Sequence, residues 1–218
     1  MFNKDFYPTP PHLITKLLSP YKDSYYNSRL SIEGSVLEPS AGKGDIVQAL
    51  LGSNTNQCEV HAIEIEEDLR SILSAIDDQN FALIGDDFLT FQPDEFYQYI
   101  IMNPPFSNGE DHLLKAIEIS HDTEIACILN AETIKNPYTA KRKQLLNLIN
   151  QYGKYEFIQD AFSDAERKTK VEVALIWLTV KREQKQFQFD YINDEDLDID
   201  FDFSSNEYEI SKTDLIGN

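Results

Sequence analysis

The residues best suited to chemistry form the segment Asn103-Pro104-Pro105-Phe106, which follows a strand-like run at residues 98–102. Each proline fixes its φ angle near about −65° and lacks a backbone N–H, so the loop is stiff and Asn103 is held on a defined backbone. The Asn103 side-chain carbonyl and the Pro104 carbonyl can accept hydrogen bonds from both N–H groups of an amine, while a flat heterocycle stacks on Phe106. This pattern suits methylation of a weakly nucleophilic amine conjugated to a ring, such as that of adenine.

A glycine-containing bend follows an earlier apolar run and precedes a helical stretch. The run ends at Glu38, and the bend reads Ser40-Ala41-Gly42-Lys43-Gly44. Glycines at such a turn let the backbone approach a nucleotide-like ligand closely. The bend is not a phosphate-binding P-loop, because Lys43 is followed by glycine rather than by serine or threonine. Glu38 would repel a pyrophosphate group but suits a ligand that carries a cationic amino group.

Acidic residues also end the next two apolar runs. Glu64 ends a run at residues 58–64, where its carboxylate can accept hydrogen bonds from ribose hydroxyls. Asp86 and Asp87 follow the third run and offer acceptors for an adenine amino group, with the Phe88 ring beside them for stacking. Ligands of open α/β sheets bind beyond the carboxyl ends of the strands. Three acidic strand ends followed by the Pro-Pro loop therefore predict one site.

Taken together, these motifs resemble those of S-adenosylmethionine-dependent amino-methyltransferases, most closely the adenine-N6 methyltransferases of DNA, such as those of restriction–modification systems. The resemblance covers residues 6–180, and it begins with the segment 5–10, which is similar to the family's N-terminal cofactor motif. It implies S-adenosylmethionine as cofactor, with the carboxylate of its methionine part at Thr9. The implied cofactor-binding residues are Tyr7, Thr9, Glu38, Ser40, Ala41, Gly42, Gly44, Glu64, Asp86, Asp87 and Phe88.

The resemblance also implies which residues meet the substrate. Asn103, Pro104, Pro105 and Phe106 correspond to the catalytic motif, and Phe106 would stack on the target base. The loop at residues 161–169 is similar to the family's loop that holds a flipped base, which makes Arg167 and Lys168 candidate substrate-binding residues.

Apolar runs alternate with helical patterns along the chain, which predicts an α/β fold. Strands are expected near 35–38, 58–64, 81–84, 98–102, 124–130, 154–159 and 171–180. Helices are expected near 12–18, 43–52, 66–76, 110–120 and 138–150. The alternation predicts a mostly parallel seven-stranded sheet with helices on both faces, the Rossmann-like class I methyltransferase fold that the resemblance implies. The last strand follows a short connection without a clear helix and is therefore expected to be antiparallel.

The charge distribution is the main argument against a nucleic-acid substrate. The chain of 218 residues has a formal net charge of −19, whereas nucleic-acid-binding proteins usually carry a basic face. Residues 1–134 carry −15, residues 135–186 carry +5 and residues 187–218 carry −9. The basic stretch is either a phosphate-facing patch or an ordinary solvated surface. It contains Lys135, Lys141, Arg142, Lys143, Lys154, Arg167, Lys168 and Lys170.

Composition predicts one catalytic domain at residues 1–186 followed by an acidic segment at 187–218. Acidic and apolar residues alternate in that segment, which can be a solvated tail, an edge strand or a phosphate mimic. Two cysteines in apolar runs and the absence of a signal-peptide pattern favour a cytoplasmic protein. The four histidines show no ligand spacing, so no metal site is expected, and no apolar run is long enough to span a membrane.

The predicted function is methyl transfer to the N6 amine of adenine in DNA. The same loop also resembles that of enzymes acting on ribosomal RNA adenines or protein glutamine amides, because a planar amide nitrogen poses the same chemical problem. A non-catalytic cofactor-binding subunit is the remaining alternative. A sequence-specific DNA enzyme needs an element that reads base edges, and none is evident after Val180. Specificity is therefore low, comes from a partner subunit, or resides in a longer enzyme of which this chain is part.

Overall fold

One mixed sheet organises the residues that the computed structural model describes, which are 8–25, 29–53, 58–162 and 171–181. It contains seven strands in the spatial order β3-β2-β1-β4-β5-β7-β6. The strands are β1 Gly34–Glu38, β2 Cys58–Ile63, β3 Phe81–Gly85, β4 Tyr99–Met102, β5 Asp122–Asn130, β6 Gly153–Ile158 and β7 Val173–Lys181. The described α-helices are α1 Pro11–Leu17, α2 Asp45–Ser53, α3 Glu67–Leu73, α4 Gly109–Ile119, α5 Ala131–Lys135 and α6 Ala140–Tyr152.

Strand direction agrees with the prediction from sequence. The five strands β1 to β5 pair in parallel, and β7 runs antiparallel to both β5 and β6. The pairing of β7 with β5 extends from Asp122 opposite Lys181 to Asn130 opposite Val173. The predicted α/β class, the seven strands and the antiparallel last strand are therefore confirmed.

The central strands are buried on both faces, which explains why they are continuous apolar runs rather than alternating ones. Val36 in β1 and Ile101 in β4 belong to a core cluster with α1 and α2. Their neighbours Leu37 and Ile100 point the other way, into a second cluster with α4 and α6. Side chains alternate across a strand, so a single run supplies both layers of core.

A short helix after β5 was not predicted from the sequence. Helix α5 has only five residues, too few to show a helical period, and its first turn depends on a cap: the Asn130 side chain accepts a hydrogen bond from the Glu132 N–H at 2.9 Å. Helix α6 begins later than predicted, because the Thr139 hydroxyl caps it by accepting from the Arg142 N–H. Its predicted end before Gly153 is confirmed.

Cys58 and Cys127 are buried free cysteines in β2 and β5, and burial raises the pKa of the Cys127 thiol well above its ordinary value. The candidate domain boundary near residue 186 and the acidic segment 187–218 lie outside the described residues. Across the ranges that the structure describes, no helix combines the length and apolar character that a membrane span requires.

Candidate active site

A pocket lies at the carboxyl ends of the central strands, where the chain order of the sheet reverses. Strand β1 pairs with β2 on one side and with β4 on the other, so the connections that follow β1 and β4 leave in opposite directions and open a crevice. The N-terminal segment, three loops and the starts of α2 and α3 line it. The lining residues are Pro8, Thr9, Ser40, Ala41, Gly42, Lys43, Asp45, Glu64, Ile65, Glu66, Leu69, Asn103 and Pro105.

The loop between β1 and α2 depends on two glycines in the left-handed region. Gly42 has φ +57° and Gly44 has φ +89°, which side chains other than glycine rarely tolerate. The turn closes with a hydrogen bond from the Gly44 N–H to the Ala41 carbonyl at 2.8 Å. Gly44 is also tightly packed, because an added Cβ would lie 3.0 Å from Leu73 Cδ2 on α3. The two glycines of the predicted bend are therefore required by its backbone conformation and, at Gly44, by close packing.

Replacing Gly44 with alanine is expected to lower the free energy of unfolding by about 1–3 kcal/mol, because alanine is strained at this φ and crowds Leu73. Gly52 in α2 is the matched control. A Cβ there meets no atom within 4 Å, so Gly52→Ala should raise the stability by about 0.5–1 kcal/mol. Urea titrations of the three proteins measure both shifts, and equal stability of the two variants would contradict this account of the loop.

The Glu64 carboxylate joins two of the loops that line the pocket. One oxygen accepts a hydrogen bond from the Gly42 N–H at 2.6 Å, and the other accepts from the Glu66 N–H at 2.9 Å. Arg70 holds the next turn by donating to the backbone carbonyls of Glu64 and Ile65. A carboxylate has about four acceptor positions, so Glu64 can also accept hydrogen bonds from two ligand hydroxyls.

Ile65 is a pocket residue that the sequence reasoning missed. Its side chain is 61% exposed although isoleucine is usually buried, and it follows the Glu64 carboxylate directly. Leu69 adds apolar surface to the same wall. The sequence did contain a signal for Ile65. It is an apolar residue directly after the strand-end acid Glu64, beyond the end of the strand that would otherwise bury it.

Glu38 and Ser40 leave buried polar atoms beside the pocket. The Glu38 side chain is almost fully buried at the end of β1, and Oε2 of Glu38 and Oγ of Ser40 have no hydrogen-bond partner among the described residues. Burial is the main reason that the pKa of Glu38 lies well above its ordinary value, and the nearby carboxylates of Asp45 and Glu64 raise it further. A hydrogen bond from the Val47 backbone acts in the opposite direction and lowers this pKa. Buried polar atoms without partners are costly, and a cationic amine and a hydroxyl are the groups that would relieve them.

The Asn103-Pro-Pro-Phe106 loop brings the predicted catalytic amide to the opposite wall. Asn103 lines the pocket, and its Nδ2 donates a hydrogen bond to the Thr9 hydroxyl at 3.0 Å. Pro105 also lines the pocket, whereas Pro104 is buried. Phe106 is half-buried, and its ring contacts Phe162 edge to face with the ring centres 5.7 Å apart.

Helix α4 packs directly behind this loop. A Cβ at Gly109, the first residue of the helix, would lie 2.7 Å from Leu129 Cδ2 and 3.5 Å from Pro104 Cγ. Glycine therefore permits a close approach here. The loop is held between the core and the start of α4, and this arrangement fixes the position of Asn103.

The predicted acids after β3 do not line this pocket. Asp86 is exposed, and the Asp87 carboxylate accepts a hydrogen bond from the Leu89 N–H at 2.9 Å within its own turn. Phe88 is only 2% exposed, and its ring packs on His112 in the core. The described structure thus places Phe88 in the core, and Ile65 is the apolar side chain that lines the pocket after a strand-end acid.

The remaining predicted site residues divide into two groups. Thr9 lies in the pocket, but Tyr7, Arg167 and Lys168 lie outside the described residues. No group of three or more histidine, cysteine, aspartate or glutamate residues within the described ranges could hold a metal ion.

Several described cations of the predicted basic patch are engaged by carboxylates. Arg142 pairs with Glu110 at 2.6 Å and Lys141 with Asp111 at 2.7 Å, which ties α6 to the first turn of α4. Lys135 forms an ion pair with Glu172. These contacts make the patch less basic than the sequence suggested, because each pairing acid offsets the field of its partner.

An exposed aromatic ring lies beside these ion pairs. Tyr138 is 73% exposed, and the Arg142 guanidinium carbon lies 4.9 Å from the centre of its ring. Arg142 in turn holds Glu110, which follows the first residue of α4. The ring is therefore anchored to the helix that supports the Asn103 loop.

Comparison with known proteins identifies the fold. No protein-family model and no curated protein matches this sequence. Among solved structures, a proposed RNA methyltransferase from Pyrococcus horikoshii is 19% identical, with a TM-score of 0.57 over 81% of this chain and 88% of the other. The 23S rRNA methyltransferase ErmE is 19% identical, with a TM-score of 0.56 over 82% and 70%. A dimethyladenosine transferase from Plasmodium falciparum is 16% identical, with a TM-score of 0.52 over 79% and 63%.

Proposed function

With a Rossmann-like class I methyltransferase fold as the premise, we propose that this protein is an S-adenosylmethionine-dependent methyltransferase that methylates the N6 amine of adenine in nucleic acid, with DNA as the first candidate. The observation that carries the proposal is the position of Asn103. Its side chain lines the same pocket as the glycine bend and Glu64, so the residues expected to bind the methyl donor and the residue expected to hold the amine share one crevice.

The described residues fit this cofactor. When bound, S-adenosylmethionine supplies an electrophilic methyl group on its sulfonium sulfur. Glu64 would accept hydrogen bonds from the ribose hydroxyls, and Ile65 offers its exposed apolar side chain to the adenine ring. Glu38 and Ser40 would meet polar groups of the methionine part, which accounts for their buried oxygens. Asp87 and Phe88 are less suited to direct contact, because the Asp87 carboxylate accepts from the Leu89 N–H within its own turn and Phe88 is buried against His112.

Asn103 and the Pro104 carbonyl would orient the substrate amine. Two acceptors that take both N–H groups draw the nitrogen lone pair out of conjugation with the ring, and the stiff loop holds those acceptors in place before substrate arrives. Phe106 would stack on the target base, which must first leave its helix or come from a single strand. Positioning and fixed dipoles account for the expected rate acceleration.

The exposed Tyr138 ring supports a nucleic-acid substrate, because bases stack on aromatic side chains irrespective of sequence. RNA adenine is the second candidate. The observation that favours it is the similarity in fold to ErmE and to the dimethyladenosine transferase, which carries over to this chain only as a proposal. The catalytic loop does not distinguish the two substrates, and DNA is placed first because the motifs as a set most closely resemble those of the DNA enzymes. The acidic balance of the chain disfavours tight binding of either nucleic acid without a specificity partner.

Isotope-labelled methyl transfer tests the proposal. Purified protein is incubated with labelled S-adenosylmethionine and, separately, with unmethylated DNA, total RNA and cell protein, and the products are digested and identified by mass spectrometry. N6-methyladenine in DNA is the expected result, and the same base in RNA would select the second candidate. Label on glutamine would show that the substrate is a protein rather than a nucleic acid. Cofactor binding without any label would favour a non-catalytic subunit or one that needs a partner.

A further inference from the structure

Two proline-stiffened segments meet at a single hydrogen bond in the pocket. Thr9 stands between Pro8 and Pro10, and Asn103 precedes Pro104 and Pro105. The Asn103 Nδ2 group donates to the Thr9 hydroxyl at 3.0 Å, although the two residues are 94 positions apart in the chain. A proline fixes its own φ and restricts the residue before it to extended conformations, so both partners are held on stiff backbones.

The Thr9 backbone is anchored as well. Its N–H donates to the Asp45 carboxylate at 2.9 Å, and Asp45 is the first residue of α2, directly after the glycine bend. Thr9 itself is 8% exposed. Thr9 therefore links the N-terminal segment, the glycine bend and the catalytic loop.

The direction of this hydrogen bond matters, because the two ends of the Asn103 amide differ in chemistry. An amide has a donor end and an acceptor end, and an amine that must donate both N–H groups can be oriented only by the acceptor end. When the Thr9 oxygen accepts from Nδ2, the carbonyl oxygen of the same amide points away from Thr9. In the reverse orientation a donor would face the substrate amine, which would repel its N–H groups.

We propose that Thr9 is a positioning residue that sets the polarity of the Asn103 amide for catalysis. This inference rests on the proposed function. A hydroxyl has one proton, so a Thr9 hydroxyl that donates to an anionic group of the bound cofactor can only accept from Asn103. Cofactor binding then holds the Asn103 amide with its carbonyl towards the substrate. The Thr9 side chain thus contacts the cofactor and orients the amide at the same time.

Three variants test the inference. Thr9→Val removes the hydroxyl at constant shape, and Thr9→Ser retains it. Thr15→Val is the matched control, because among the described residues the Thr15 hydroxyl donates only to the Pro11 carbonyl, within α1 and on the exposed side. Thr9→Val is expected to lower kcat about tenfold, the usual effect of one hydrogen bond, whereas Thr9→Ser should retain most turnover and Thr15→Val all of it.

A readout independent of activity is the NMR signal of the Asn103 side-chain NH2 group, assigned by its absence in Asn103→Ala. Thr9→Val should shift this signal, and Thr9→Ser should leave it near its wild-type position. Adding S-adenosylhomocysteine should narrow the signal in wild type but not in Thr9→Val. In the Asn103→Ala background, Thr9→Val should cause no further loss of turnover, because the two residues act as one unit.

Two results would overturn the inference. One is an unchanged NH2 signal and unchanged kcat in Thr9→Val. The other is weaker cofactor binding with kcat intact, which would make Thr9 a cofactor ligand alone. If the wild-type protein methylates no substrate, the proposed function fails, but the NMR experiment still determines whether Thr9 holds the amide.

Discussion

Asn103→Ala should reduce kcat for methyl transfer by about 100–1,000-fold, the typical cost of removing one preorganised hydrogen-bonding group from an active site. The physical reason is that the amine loses the acceptor that draws its lone pair towards the methyl group. Affinity for S-adenosylhomocysteine should change by less than about threefold, because Glu64 and the glycine bend remain in place. Single-turnover kinetics and calorimetry measure the two effects separately.

The control for this variant is Asn150→Ala, which removes the same side chain from an exposed position on α6. It should leave both kcat and cofactor affinity unchanged. If Asn103→Ala retained more than about a tenth of wild-type turnover, the amine would not depend on this acceptor, and the catalytic assignment would be wrong.

Glu64→Ala is expected to have the largest effect on cofactor binding, raising the dissociation constant for S-adenosylhomocysteine by about 100-fold. Hydrogen bonds to charged groups contribute about 1.5–3 kcal/mol each, and this substitution removes the acceptor for both Gly42 and Glu66 as well as for the ribose hydroxyls. Glu64→Gln keeps one acceptor oxygen and should fall between wild type and alanine. Isothermal titration calorimetry measures the series.

Glu67→Ala serves as the comparison, because it removes an exposed carboxylate from the first turn of α3 without touching the pocket. It should bind the cofactor as wild type does. A folded Glu64→Ala protein with wild-type affinity would exclude the proposed ribose contact, and circular dichroism establishes that the variant is folded.

Local patterns made most of the fold predictable. The predicted strand at residues 124–130 is apolar from 125 to 129, and this run is buried on both faces, with Ala126 in one core layer and Cys127 in the other. The antiparallel direction of β7 followed from a connection with no recognisable helix. Helix α5 was missed because its stability comes from the Asn130 cap and from packing, neither of which produces a periodic pattern.

The candidate site was predictable where a few neighbouring residues in the sequence form a recognisable motif. Gly42, Glu64 and Asn103 were all identified, and the structure places them around one pocket. Phe88 shows the limit of this reasoning: a ring beside an acid looks the same in sequence whether it faces a ligand or the core. Its burial against His112 depends on α4, which lies more than twenty residues further along the chain.

The sequence by itself determined the order of strands and helices, the strand-end acids and the stiff Asn-Pro-Pro loop, because backbone preferences and side-chain periodicity act over a few residues. Only the tertiary structure decided that Thr9 meets Asn103, that Ile65 rather than Phe88 lines the pocket, and that Lys141 and Arg142 are paired with Asp111 and Glu110. These contacts join residues that are far apart in the chain. Their geometry follows from how the sheet brings its loops together, which no local pattern encodes.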